Sequence, residues 1–365
     1  MKAYQMCSTI SFRNIGSERY IFRSRDRKCW SPDVTKYLEF WRVWELFSKP
    51  KSVLDAIGEA EEDERDVLSM AIEGMIECGL LESVERTQAS LDSLLLGPLA
   101  RSQPQSVAYH LSSSRVKWIN YSNPSDIKSL DYDKMEEKVR EEPIPPKFKK
   151  AANSTPTYDL AKVIPVGALG ALRAGSECFG RRRPDLATPL TLDHLNFIIN
   201  LSLAQTDSVK MYATGEHVRK AVPSGGARHP TEAYVIVGDD VESIEAGSYH
   251  YNVKAHRLDR LRIPRRVTDI AMRAAAIVPR ARTKPVKAVI VHTCFFERSM
   301  FRYREARSYR VMNFDIGHVH ANEILASKLL GLDFSECYSI SEREIENALL
   351  IDPLMESAMS SFVLH

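Results

Sequence analysis

Residues 222–237 read VPSGGARHPTEAYVIV. The second half, Ala233 to Val237, is a short apolar run rich in β-branched residues and predicts a strand buried on both faces. The first half is loop punctuation, with two prolines and two adjacent glycines. A second run of the same kind, Val286 to Val291, again follows proline-containing punctuation. Upstream, Leu192, Leu195, Ile198 and Ile199 recur at helical spacing behind Thr191, a suitable N-cap. Downstream, a helix is expected from Asp315, its capping residue, through Leu330 to a stop at Gly331. Helices thus alternate with buried strands, and from about residue 165 the chain reads as an α+β fold.

Further out the pattern changes. Ser8 to Arg25 gives a hairpin signature, with apolar Ile10 and Phe12, a turn at Asn14 to Ser17, then Tyr20 and Phe22. Tyr37, Phe40, Trp41 and Trp44 mark a helix, Val53, Leu54 and Ile57 a second, and Leu68, Ile72, Met75 and Ile76 a third ending at Gly79. A hairpin with three helices describes a winged-helix-like module over 1–86. Residues 87–160 carry QPQS, MEEKVREE and PIPPKFKK and read as an extended connector, with apolar anchors such as Tyr109 and Trp118; 161–365 form the main domain.

Lys+Arg number 50 against 48 Asp+Glu, so no global field draws nucleic acid or an anionic membrane. The third N-terminal helix is acidic, which disfavours nucleic acid and leaves a docking role. No apolar stretch approaches the roughly 20 residues that span a bilayer, and the N-terminus lacks a signal-peptide pattern, so a cytoplasmic protein is expected. The six cysteines form no CxxC pair and no Cys/His spacing suited to zinc; no metal is expected.

In the 223–230 loop, Gly225 and Gly226 let the backbone approach a planar ligand while Ser224 and Arg228 flank it. That arrangement suits a flavin: backbone N–H groups can bond the pyrimidine oxygens, and Arg228 can stabilise negative charge developing on the reduced ring. The same loop would also serve as a tight connection into a strand.

Three blocks, PSGGARHPTEAYVIV, then GSYHYNVKAHRLDRL at Gly247 to Leu261, then YREARSYRVMNFDIGHVHANEILASKLLGLD at Tyr303 to Asp333, resemble the signature blocks of the SagB-type dehydrogenases, which include the thiazoline/oxazoline oxidases. The resemblance spans about Arg181 to Leu350. It implies a nitroreductase-like FMN-binding fold, a homodimer with flavin at the subunit interface, and oxidation of peptide azolines to azoles in the maturation of ribosomally made peptides. Implied partners are a precursor peptide and a cyclodehydratase, with the N-terminal module docking one or the other as peptide-recognition domains of such enzymes do. Ser224, Gly225, Gly226 and Arg228 fall on the family's loop at the isoalloxazine edge. Arg181 and Arg183, in an arginine cluster ahead of the PLTL helix, fall where the superfamily contacts the FMN phosphate, which is favoured modestly over a solvated face.

The third block departs from the family. Azoline oxidases resemble one another in a Lys-Tyr pair where this chain has Tyr303-Arg304. Arginine is too basic for a general base, so proton abstraction falls to Tyr303 or a bound water, with Arg302 and Arg304 supplying positive charge. Otherwise Tyr303 packs on the flavin or the dimer seam. Asp315, Gly317 and His318 match the family's Asp-x-Gly-His and read as architecture: a cap, a close-packing glycine and a ligand to neighbouring backbone. His292 and Cys294 share one face of a strand and read as core. The departure keeps open an oxidase of carrier-bound thiazolines, a flavin reductase of dehydroamino acids, and a catalytically silent scaffold.

Overall fold

A computed structural model of the chain describes residues 3–6, 10–15, 18–23, 28–30, 38–84, 109–110, 113–114, 122–162, 189–278 and 284–365. The chain divides into two compact units, Met1–Trp118 and Ile119–His365.

In the first unit, β1 (Ala3–Met6), β2 (Ile10–Ile15), β3 (Glu18–Arg23) and β4 (Lys28–Trp30) precede α1 (Leu38–Leu46), β5 (Lys51–Ser52), α2 (Val53–Gly58), α3 (Arg65–Glu77) and β6 (Leu81–Ser83). β2 and β3 form the expected antiparallel hairpin. A second small sheet runs β5-β1-β6. Leu68, Ile72 and Met75 of α3 follow the i, i+4, i+7 rule and bury against Phe40, Val43 and Phe47. Gly79, at φ 73°, ends that helix in the left-handed region, where a Cβ would be strained.

The second unit is built on an antiparallel sheet in the order β16-β17-β15-β11-β13-β14-β7, made of β7 (Ser154–Asp159), β11 (Thr231–Val237), β13 (Gly247–Asn252), β14 (Arg257–Leu261), β15 (Ala288–Phe295), β16 (Phe334–Cys337) and β17 (Glu356–Leu364). The two apolar runs of the sequence are the adjacent central strands β11 and β15, in register from Thr231↔Cys294 to Val237↔Ala288. Both are buried along nearly their whole length because helices cover both faces. Ala233, Val235 and Val237 face α4 (Leu192–Ser202) and α7 (Ala306–Leu330), while Tyr234 and Ile236 face α5 (Arg265–Ala275) and α8 (Glu342–Leu349). The period of two within the strand divides its side chains between two separate cores. Thr191 caps α4, its hydroxyl accepting from His194 N–H at 3.2 Å. The hairpin β9 (Gln205–Met211) and β10 (Gly215–Lys220) leads into the 221–230 loop, and a short helix, α6 (Phe296–Met300), follows β15. Among the described residues no helix is long and apolar enough to cross a membrane.

Two sequence expectations need correction. Helix α7 starts at Ala306, not Asp315. Residues 306–314 contain no proline or glycine, and Met312, Ile316 and Val319 keep the buried periodicity, so nothing stops the helix from extending a further nine residues toward the N-terminus. Asp315 is therefore interior and caps something else. Gly317 has open space where a Cβ would stand and is not a close-packing position. Within the stretch read as a connector, the helix at Asp133–Glu141 and strand β7 are ordered parts of the second unit, β7 being held by antiparallel pairing to β14.

Candidate functional site

The 223–229 loop is shaped by one carboxylate. Asp315, projecting from the middle of α7, accepts from Ser224 Oγ at 2.6 Å and from Gly225 N–H at 3.0 Å. Ser224 Oγ in turn accepts from His229 N–H at 2.9 Å, and His318 Nδ1 lies 3.3 Å from the Pro223 carbonyl. Asp315 thus caps a single 3-10 turn at Gly225–Ala227 from another element. Burial raises its pKa above the ordinary aspartate value, and its bonds to Ser224 and Gly225 offset part of that shift. The hydroxyl of Ser224 and the amide of Gly225 are consequently spent on holding the loop.

Gly226 sits at φ 62°, ψ 24°, and a Cβ there would come within 2.5 Å of the Tyr303 hydroxyl oxygen. A Cβ on Gly225 would meet Val311 Cγ1 at 2.4 Å. The double glycine is required by the close approach of this loop to the start of α7 and the residues just before it. Gly226→Ala is expected to cost about 1–2 kcal/mol through the left-handed backbone alone and to drive Tyr303 from its place. Denaturant unfolding checks this, and a midpoint equal to wild type would mean that the loop relaxes freely.

Tyr303 lies close enough to the guanidinium groups of Arg228 and Arg302 for charge on its phenol oxygen to act on both, and Arg302 stands 5.4 Å from its ring centroid. Arg302 is anchored by an ion pair with Asp131. Arg228 is 7% exposed, its Nη1 lies 3.3 Å from His217 Nε2, and its Nε is a buried donor without a hydrogen-bond partner. A small pocket beside it is lined by Ile144, Lys147, Thr214, His217, Arg298 and Phe301. The cations assembled around the tyrosine are therefore Arg228 and Arg302. Arg304 points elsewhere: it is half exposed and pairs with Glu142 at the surface. Arg181 and Arg183 lie outside the described residues.

Beneath the loop is a buried charged network that sequence reasoning missed. Glu232, the second residue of β11, pairs with Arg298 Nη1 at 2.5 Å and with His250 Nε2 at 2.9 Å. Burial alone would raise its pKa, but Arg298, His250 and Lys220 outweigh that and hold the carboxyl well below the usual range. Arg298 also donates to the carbonyls of Pro146 and His229, tying the network to the loop. Burial brings Lys220 down to about 8 despite the nearby Glu232 and Asp315. The available signal was a lysine and a glutamate flanking the loop inside otherwise apolar surroundings, since such charges are rarely buried unless paired.

A seven-stranded antiparallel sheet with helices on both faces, and a glycine loop at the end of its central strand, define a nitroreductase-like α+β protein. Over 357 residues the chain is 47% identical to the trifolitoxin-processing protein TfxB of Rhizobium leguminosarum bv. trifolii, covering 98% of this chain and 95% of that one. It is also 30% identical over 170 residues to a protein of Methanocaldococcus jannaschii named as a nitroreductase, covering 45% of this chain and 77% of the relative. The microcin B17-processing protein McbC of Escherichia coli is 28% identical over 118 residues, or 32% of this chain and 42% of that relative. No protein-family model matches the chain. The chain belongs to the family of the trifolitoxin-processing protein, within the SagB-type group of the nitroreductase-like superfamily.

Proposed function

We propose that this protein is an FMN-dependent dehydrogenase that oxidises azoline rings of a precursor peptide to azoles, in the cytoplasm, during maturation of a ribosomally made peptide. The observation that carries the reading is the Gly226–Tyr303–Arg228 arrangement: a loop with no Cβ at its tip, a phenol directly above it and a buried guanidinium with an unused donor. These features fit a flavin edge, because an acceptor such as a pyrimidine oxygen would satisfy Arg228 Nε, which is otherwise buried at a cost. Two of the relatives are named for processing trifolitoxin and microcin B17, which supports a peptide substrate.

FMN, when bound, supplies a two-electron acceptor. The rest falls to the chain. Arg228 would hold the cofactor edge and offer positive charge where negative charge develops. Tyr303, as its phenolate beside Arg228 and Arg302, would receive the proton that leaves the substrate ring, while Asp315 and Ser224 keep the loop rigid enough to define that distance. Arg304, bound to Glu142, takes no part in this scheme. A homodimer, which the resemblance implies, would complete each flavin site, and Arg181 and Arg183 would hold the phosphate. The N-terminal unit, with its small antiparallel sheet and acidic α3, would dock the leader segment as an added strand or a cyclodehydratase partner.

The purified protein is expected to be yellow and to hold FMN, and its natural substrate to lose about two daltons for each ring oxidised, as one hydride and one proton. A colourless protein that takes up no FMN overturns the reading and leaves a scaffold. With FMN content unchanged, Tyr303→Phe is expected to lower turnover by about 10²–10⁴-fold, the range for loss of a general base. Undiminished turnover would move proton transfer to Lys220, whose amine titrates near 8.

A further inference from the structure

On the far half of α7, away from the loop, a group of metal-ligating side chains is buried with no task in the scheme above. His292 projects from β15, and His320 and Glu323 from one face of α7 at i, i+3 spacing; all three are at most 1% exposed. Ser360 of β17 orients both imidazoles from behind: its Oγ lies 3.3 Å from His292 Nδ1 and 2.8 Å from His320 Nε2. The other nitrogen of each ring is thereby turned toward Glu323, with His292 Nε2 2.9 Å from Oε1 and His320 Nδ1 3.6 Å from Oε2. Glu336 of β16 lies at the margin of the group, its Oε1 3.8 Å from His320 Nδ1 and bonded by the Tyr338 hydroxyl.

Hydrogen bonding within the group leaves His320 Nδ1 and Glu323 Oε2 buried and without partners. The distance between them is too long for a hydrogen bond, so no choice of imidazole tautomer satisfies both. A buried carboxylate oxygen and a buried imidazole nitrogen facing one another across a gap are satisfied together by a cation between them. The donor types suit one in particular. Ligand bonds of 2.0–2.1 Å to tetrahedral zinc put donor atoms roughly 3.3–3.4 Å apart, and one ligand atom from each of His292, His320 and Glu323 lies within 4.8 Å of the other two. Two imidazoles and a carboxylate, with a hydroxyl behind the rings, form three zinc ligands with an outer shell in place, and a water completes the fourth position. We propose that His292, His320 and Glu323 hold a zinc ion that pins α7 to strand β15. Sequence spacing conceals such a site because its ligands come from separate elements.

The test is the metal content of the full-length protein, measured by inductively coupled plasma mass spectrometry, before and after chelation and re-equilibration with zinc. About one zinc per chain, lost to chelator and regained, is expected, with the denaturation midpoint falling on chelation and FMN content unaffected. Glu323→Gln is expected to bind under a tenth of the wild-type zinc, and Ser360→Ala, which removes only the outer contact, to weaken affinity by about 10–100-fold. Wild-type protein that carries no zinc and takes up none overturns the proposal, as does a full equivalent retained by both Glu323→Gln and His320→Gln. Should Glu323→Gln fail to fold, the wild-type measurement and Ser360→Ala decide.

Discussion

Glu232→Ala is expected to destabilise the second unit by about 3–5 kcal/mol, the usual cost of removing one partner of a buried ion pair. The size of the effect follows from what is left behind. Arg298 is 8% exposed, and its remaining hydrogen bonds go to two backbone carbonyls, so its charge would stay in the interior without a counter-ion. One Arg298 Nη2 is already without a hydrogen-bond partner, which leaves no reserve to absorb the loss. Lys220 would lose its strongest favourable neighbour as well. A unit of this size shifts its melting temperature by roughly 2–4 °C per kcal/mol, so a fall of about 10 °C is expected in a thermal scan. The double variant Glu232→Ala/Arg298→Met should recover most of the loss, because the penalty belongs to the stranded charge and not to the missing carboxylate. A single-variant loss under about 1 kcal/mol, or a double variant worse than the single, would show that water reaches the pair and screens it.

That network also explains how far the sequence could be read. The buried strands β11 and β15, the cap at Thr191, the hairpin β2–β3 and the stop at Gly331 were all legible, because each is set by residues within a few positions of one another: apolar runs, a hydroxyl before a helix, a glycine at φ 70°. Asp315 was legible as a capping residue but not as the cap of a distant loop. Its partners Ser224 and Gly225 lie about ninety positions away, and only the packing of α7 against the loop brings them together. The same holds for Tyr303. Its neighbour Arg302 could be guessed from adjacency, Arg304 was guessed on the same ground and turns outward to Glu142, and Arg228 was invisible as a partner because proximity in space had no counterpart in spacing. The flavin reading rested on local residue types and on the family resemblance; the assignment of individual roles depended on tertiary contacts and is where the structure alters it.

Acid is expected to weaken the protein through two histidines of this site. His229 and His217 are each under 10% exposed, and burial, reinforced by Lys220, Arg298 and Arg228, brings them down to about 3 and about 4. In the unfolded chain both take up a proton near 6.5. Below that pH the unfolded chain binds more protons than the native one, so stability is fully present above about 6.5 and declines as the pH falls through the window down to 4 and 3. Each imidazole removes about 1.4 kcal/mol per pH unit once well inside that window, and from pH 7 to pH 5 the pair together removes roughly 3–4 kcal/mol. Denaturant unfolding of the wild type and of His229→Asn at the two pH values isolates one half of this contribution by difference. Asparagine tolerates the φ of 45° that His229 adopts and carries no titrating group, so the variant should lose that half of the pair's contribution while keeping the N–H bond to Ser224. An unchanged pH slope in that variant would place the acid-sensitive protons elsewhere and would mean that His229 is solvated in the folded chain. A slope reduced by that share would tie acid stability to Lys220 and Arg298, the cations buried beneath the loop, so that the charge gathered there is also what the fold has least margin to increase.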